Sequence, residues 1–273
     1  MQTRTVLITG STAGLGKATA LRLAPKGYRL LLHGRSEEKG AELLEELRMS
    51  GNNGEFFYYA ADLASLEQVR SMAQAVLRDQ TQLHVLVNNA GIGGGPQGNR
   101  NRETSAEGYE LRFAVNYLSE FLLTQLLLPL LRASAPSRIV QVSSIAQEPL
   151  DFGDLMYSRD YTSYGAYSRS KLAQILFSFE LAERLKDSGV TVNVLHPATL
   201  MDTRMVAEFF GRTMTSVSEG AAHLEYLIES PQLEQVSGAY LVNRRISTAH
   251  AQAYDAGARQ LLWDRSMELC GLS

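Results

Sequence analysis

A tyrosine and a lysine four residues apart share one face of a helix, and the stretch Tyr164-Gly-Ala-Tyr167-Ser-Arg-Ser-Lys171 carries such a pair. An ammonium beside a phenol favours the phenolate. It draws the phenol below its usual pKa near ~10, which would let Tyr167 give and take a proton at neutral pH. The run after it is apolar at Leu172, Ile175, Leu176, Phe179 and Leu185, so the same helix is expected to bury a wide stripe. A buried, rigid helix can hold two side chains in register. The competing reading is a solvated helix edge, because the same spacing arises by chance on many amphipathic helices.

The elements that must position this pair form a repeating pattern. Short apolar runs at 6–8, 29–32, 56–59, 84–87, 139–142, 191–195 and 239–242 read as strands, separated by helical patterns near 15–26, 37–50, 65–79, 106–133, 162–187, 217–229 and 252–270. Strands apolar on both faces and alternating with helices call for a parallel sheet covered on both sides. The expected fold is therefore α/β, a doubly wound parallel seven-stranded sheet. No linker, repeat or low-complexity segment divides it, so residues 1–273 are expected to form a single domain.

The first strand leads into Thr9-Gly10-Ser11-Thr-Ala-Gly14-Leu15-Gly16, and these glycines let a ligand approach the backbone where a helix begins. The free N–H groups and positive end of that helix suit phosphate, although a glycine turn also serves as a plain tight connection. The second strand ends in His33-Gly34-Arg35-Ser36. A dinucleotide fold usually carries an acid there for the ribose hydroxyls. Arg35 with Ser36 suits a 2′-phosphate instead, so the expected cofactor is NADP(H); the plainer reading of Arg35 is an exposed side chain at a helix start. After the third strand, Asp62-Leu63 could hold an adenine edge, or Asp62 could cap the helix beginning near Ser65.

Together with Asn88-Asn89-Ala90-Gly91, Asn116 in Phe113-Ala-Val-Asn-Tyr117, Val142-Ser143-Ser144 and His196-Pro197, these motifs stand in the order found in the short-chain dehydrogenases/reductases. The chain resembles that family over essentially its whole length. Asp154-Leu155, the run Ala166–Phe177, Gly238-Ala-Tyr240 and Leu262-Trp263 resemble more narrowly its retinol-dehydrogenase-like and carbonyl reductase branch. The resemblance implies a Rossmann domain and a catalytic set of Asn116, Ser144, Tyr167 and Lys171. Ser144 would bond the substrate oxygen and Tyr167 would exchange its proton. Lys171 would lower the tyrosine pKa and bind the nicotinamide ribose, and Asn116 would hold a relay water; the plainer alternative for Asn116 is a buried amide satisfied by backbone. Ser143 points the other way by strand alternation, and the family pattern selects Ser144. Cofactor contacts are implied at Gly10, Ser11, Gly14, Leu15, Gly16, Arg35, Ser36, Asp62, Leu63, Asn89, Ala90, Gly91, Tyr167, Lys171, Pro197 and Thr199, with the Asn88–Gly91 stretch partly structural.

Three departures from the family pattern bear on the substrate. Residues 145–161 must form an inserted loop, whose Leu150, Phe152, Leu155 and Met156 suggest a wall for a bulky apolar substrate or a seal of the loop onto the domain. Pro197-Ala198 replaces the usual Pro-Gly, and Thr203 lies one place late, so Thr199 and Thr203 both remain candidates for the nicotinamide carboxamide. Both threonines belong to an expected substrate-side segment, 199–216. The N-terminus shows no apolar anchor of the kind membrane-bound retinol dehydrogenases carry, so no membrane anchor is expected and a retinoid substrate is not carried over.

Composition and the remaining motifs narrow the function. The chain is 45% hydrophobic with a net charge of -3, which excludes the basic field that nucleic acid needs. One cysteine, Cys270, fits a reducing compartment, and a cytoplasmic location is expected. Five scattered histidines form no metal-ligand pair; they read as surface or strand-end residues, and no metal is expected. No G-x-S-x-G elbow is present. The glycine-rich segment 93–98 reads as a lid or a plain loop. The expected activity is hydride exchange between NADP(H) and a small-molecule carbonyl or alcohol, in the direction of reducing a bulky apolar ketone or aldehyde, with a homodimer as the expected assembly. The alternative is a silent NADP(H)-sensing regulator, which the presence of all four catalytic residue types disfavours.

Overall fold

The computed structural model describes residues 3–49, 54–96 and 98–272. Residue 50 of the second expected helix and residue 97 of the glycine loop fall outside the described residues. All seven expected strands form: β1 (Thr5–Ile8), β2 (Arg29–Gly34), β3 (Phe56–Ala60), β4 (Val85–Asn88), β5 (Ser137–Val142), β6 (Val190–His196) and β7 (Ala239–Val242). They run parallel in the order β3-β2-β1-β4-β5-β6-β7. The expectation of seven strands needs one correction. An eighth, β8 (Arg245–Ser247), pairs antiparallel with β7, placing Leu241 opposite Ile246. Its three residues are all exposed, so it lacks the apolar run that marks the others. Its signal was Asn243, left-handed at φ 58 in the tight connection.

Helices cover both faces because both faces of the strands are apolar. On one side lie α1 (Gly14–Leu23), α2 (Glu37–Met49) and α8 (Val217–Glu229), with Leu30, Leu32, Val85, Val87 and Leu195 beneath them. On the other lie α3 (Leu66–Asp79), α5 (Ser119–Ala133), α6 (Ser163–Arg184) and α9 (Ala256–Leu269), over Leu7, Leu31, Leu86 and Ile139. α1 packs on α8, α3 on α5, and α6 on α9. The apolar stripe expected on α6 is buried, with Leu172, Ile175 and Leu176 fully inaccessible. Each such side chain contributes roughly 2 kcal/mol, which fixes the axis on which Tyr167 and Lys171 ride.

The helical segment leading into α5 is not uniform. A single turn, α4 (Leu111–Phe113), runs into a π turn at Ala114–Leu118 and then α5, with Ser119 N bonding Ala114 O. Leu111–Ala133 is long and apolar enough to cross a membrane, yet 72% of its apolar window is buried inside the protein. It is read as a core helix.

The inserted loop 145–161 is sealed down. Leu150 is buried, and Phe152, Leu155 and Met156 pack against the core beneath α5 and α6. Leu150 exchanges bonds of 2.7 and 3.0 Å with Gln252, Arg102 donates to Met156 O, and the Arg169 guanidinium lies 3.7 Å over the Tyr157 ring. Of the loop, only Ile145 and Ala146 reach the large cleft at the carboxyl ends of the strands. The substrate-wall expectation for Phe152 and Met156 is therefore corrected: their apolar area goes to sealing the loop. Phe152→Ala with Met156→Ala should cost about 2–4 kcal/mol in all, since both are only partly buried. Thermal denaturation is expected to show a clearly lower Tm, with any activity reduced equally for small and bulky substrates.

Candidate active site

The strand order reverses between β1 and β4, and at such a switch point the connections leave in opposite directions and open a crevice at the carboxyl ends. A cleft of about 810 Å3 lies there. Its rim is built from residues just past the strands: Gly10 and Thr12–Leu15 after β1, Arg35 after β2, Asp62–Ala64 after β3, Asn89–Ile92 after β4, Ser143–Ala146 after β5 and Pro197–Met201 after β6. A hydroxyl and an amide bind the two strand ends together. Thr9 Oγ accepts from Asn89 N at 2.9 Å and Ala90 N at 3.0 Å, while Asn89 Nδ2 donates to Thr9 O and Gly10 O.

The glycines are required by contact as well as by backbone angle. Gly10 has φ 65, and a Cβ there would lie 2.8 Å from Ala90 Cα; at Gly16 it would lie 2.3 Å from Gly10 O. Gly16 therefore lets α1 press against the turn and lies outside the cleft lining. The α1 N-cap, Ala13, offers no side-chain bond to the first N–H groups, which remain available to an anion. This cradle fits the diphosphate of a dinucleotide. Arg35, exposed on the rim, has no ion pair or hydrogen bond among the described residues. Two expected contacts lie elsewhere. Ser11 is fully buried, bonding β2 through His33 N and O, and Ser36 accepts from Lys39 N at the start of α2. The cap of α3 is Ser65, whereas Asp62 lines the cleft with Oδ1 held by Ala64 N.

Ser144, Tyr167 and Lys171 converge at one end of the cleft. Ser144 sits just past β5, its carbonyl accepting from the Tyr240 hydroxyl at 3.0 Å, and its hydroxyl accepting from Ala146 N. Ser143 points back, donating to Lys171 O at 2.8 Å, which ties β5 to α6. Burial pushes the Tyr167 phenol above its ordinary 10, and a hydrogen bond with Ser144 draws it partly back. The expected lowering by Lys171 is not seen. The ammonium lies 5.8 Å from the ring centre and donates to Val142 O and Gln174 Oε1, both at 3.0 Å. Burial lowers the lysine itself to about 8.

Asn116 is completely buried and does not line the cleft. Its Oδ1 accepts from Ile92 N at 2.7 Å, and its Nδ2 donates to Ile92 O and Ser170 Oγ. The amide is thus satisfied by protein, and the expected relay role for its side chain is replaced by a positioning one. It locks the wall residue Ile92 to α6. The π turn in which it sits is the local departure that aims it there.

Much of the opposite wall was not foreseen as structure. A short helix, α7 (Arg204–Phe210), rises within the expected segment 199–216 and presents Met205 and Val206 to the cleft with Leu200 and Met201. Phe209 stacks on Tyr164 at 5.0 Å and 10°, and Tyr164 lies 6.4 Å from the Tyr167 ring. Thr203 caps α7 by accepting from Val206 N, while the Thr199 hydroxyl meets His196 Nε2 at 3.2 Å; both line the cleft. His33 was also missed, because an isolated histidine carries no motif. Its Nδ1 accepts from Gly10 N at 3.1 Å and its Nε2 faces Ala61 O, so a neutral imidazole holds the phosphate turn.

With this geometry in place, comparison with known proteins defines the class. Residues 4–212 match the short chain dehydrogenase model. The whole chain is 39% identical to retinol dehydrogenase 14 of Homo sapiens, covering 88% of that protein, and 99% of it is 37% identical to 84% of retinol dehydrogenase 13 of Mus musculus. A short chain dehydrogenase structure described as putative, from Pseudomonas syringae, superposes with a TM-score of 0.72 at 26% identity, over 88% of this chain and 94% of that one. The chain belongs to the short-chain dehydrogenase family, in its retinol-dehydrogenase-like branch. It is an oxidoreductase of the kind that exchanges hydride with a nicotinamide cofactor.

The buried histidines give the structure an acid limit. Burial lowers both His33 and His196 from the ordinary 6.5 to about 4. Between those values the unfolded chain binds protons that the folded one refuses, so stability rises with pH through this window and falls as pH drops from about 6.5 toward 4. For the fully buried His33 the loss is on the order of 3 kcal/mol. Denaturant titrations from pH 7 to 4 should show this slope, and His33→Gln should flatten it while lowering stability at pH 7.

Proposed function

We propose that the protein is an NADP(H)-dependent reductase of bulky, apolar ketones or aldehydes, able to run in reverse on the corresponding alcohols. The observation that carries this reading is the presence of Ser144, Tyr167 and Lys171 in one cleft with an uncapped helix N-terminus and with Arg35, which is exposed and has no ion pair among the described residues. When bound, the nicotinamide supplies or accepts the hydride. The chain does the rest. Ser144 hydrogen-bonds the substrate oxygen, Tyr167 delivers the proton from its phenol to that oxygen, and Lys171, its ammonium 5.8 Å from the centre of that ring, would hold the nicotinamide ribose. A phenol held above its ordinary pKa is protonated at neutral pH, which suits the reductive direction.

Substrate class is inferred from the wall. Ile92, Leu111, Val115, Leu200, Met205 and Val206 line the same cleft as Tyr167, and such a surface favours a large apolar group over a polar one. The retinol dehydrogenases to which the chain is similar are named for an apolar alcohol, which agrees with that wall. Screening the purified protein with NADPH against ketones and aldehydes of graded size tests the reading directly: turnover should rise with apolar bulk.

Two substitutions sharpen it. Tyr167→Phe removes the transferable proton and little else, so it should retain cofactor affinity and lose at least about a thousandfold in kcat, within the range general acid catalysis supplies. Substantial turnover would move the acid elsewhere. Arg35→Ala removes the proposed charge-assisted bond to the 2′-phosphate and should narrow the preference for NADPH over NADH by roughly ten- to a hundredfold. Cofactor titrations that find equal Kd values for NADPH and NADH in the unmodified protein would contradict the assignment of NADP(H).

A further inference from the structure

Behind the cleft, Lys171 opens onto a buried polar chain whose other members, Gln174 and Glu120, the reaction above does not use. Lys171 Nζ donates to Gln174 Oε1 at 3.0 Å, and Gln174 Nε2 donates to Glu120 Oε2 across the interface between α6 and α5. All three side chains are inaccessible, with exposures of 5%, 0% and 1%. Among the described residues Glu120 Oε1 has no hydrogen-bond partner. A buried carboxyl with an empty oxygen is costly, and an apolar residue would fill the same place in this helix interface without that cost. What distinguishes the carboxyl is its effect along the chain. An ionised carboxylate only accepts, so it draws the NH2 end of Gln174 toward itself and turns the amide oxygen toward the ammonium.

We propose that Glu120 and Gln174 are positioning residues for Lys171, the carboxylate orienting the amide and serving as the lysine's counter-charge across it. Without them the ammonium keeps only the Val142 carbonyl. Burial lowers Lys171 and raises Glu120 well above the usual carboxylate range, and each group opposes the other's shift: Glu120 holds the lysine up and the lysine holds the carboxyl down. Other titratable groups nearby are differently engaged. On α6 itself Tyr164 and Tyr167 face the cleft; from β6 His196 is kept neutral by burial, and from β7 the Tyr240 hydroxyl goes to Ser144 O. From α4 Arg112 pairs with Glu110 at 3.6 Å, and in the π turn the Tyr117 hydroxyl meets Ser266 of α9.

The consequence for turnover rests on the reductase reading, but the titration of Lys171 does not, so two readouts separate them. The first is the pH titration of the lysine 13Cε resonance that Lys171→Met removes; the second is the alkaline limb of kcat/KM for carbonyl reduction. Glu120→Gln keeps an acceptor for Gln174 and removes the charge. It should move both downward by about one pH unit, with kcat at pH 6 within about twofold of the parent. Adding Gln174→Glu puts a carboxylate directly beside the ammonium and should restore both. A merely structural contact would instead lower activity equally at every pH. An unmoved Lys171 titration in Glu120→Gln overturns the proposal. Should that variant not fold, Gln174→Met cuts the chain at its middle and must give the same downward shift, an unmoved titration again overturning it. A shifted titration in a protein without turnover supports this inference and sinks the reductase reading.

Discussion

The structure depends on keeping an ammonium group out of water. Lys171 is 5% exposed, and an isolated buried cation costs far more than one domain can spare unless it finds acceptors. Among the described residues its acceptors are Val142 O at the end of β5 and Gln174 Oε1 on the helix itself, and Gln174 in turn donates to Glu120 of α5, so three elements must meet at one point. Strand end, helix and neighbouring helix are thereby set in register. Tyr167 stands one turn away on the same helix, and Ser143 pins that turn to β5. The demand of one charge for partners thus shapes the chemical end of the cleft.

The other end answers a different constraint, the close approach of two strand ends where the sheet order reverses. Thr9 and Asn89 bridge β1 and β4, His33 holds Gly10 from β2, and Gly16 lets α1 come within reach of the turn. At the start of α1, Ala13, Gly14 and Leu15 line the cleft, and the Ala13 N-cap supplies no side-chain bond to the first N–H groups. Apolar side chains from α7 and the π-turn region line the same cleft.

The sheet was legible because six of its seven parallel strands are largely buried on both faces, and each of the seven carries a short apolar run set between helical patterns. The glycine turn was legible for a related reason: only glycine tolerates φ 65 at residue 10 with Ala90 so close. Other features carried no such mark. β8 has no buried face, α7 is only two turns long, and His33 acts through ring contacts with Gly10 N and Ala61 O. The loop 145–161 was apolar enough for a wall or a seal, and only tertiary contact separates these. The spacing of Tyr167 and Lys171 placed them on one face, but it could not show that the ammonium turns to Val142 and Gln174 while burial raises the phenol.

The central claim is that hydride moves between a nicotinamide and a carbonyl carbon at the end of the cleft where Tyr167 and Ser144 stand. Isotope transfer measures it most directly. The protein is incubated with the reduced cofactor carrying deuterium at the reactive C4 position, together with a panel of apolar ketones and aldehydes, and the products are read by mass spectrometry. The account predicts an alcohol containing one deuterium on its carbinol carbon, formed with a single stereochemistry. Cofactor that binds while every carbonyl returns unlabelled and unreduced would contradict it.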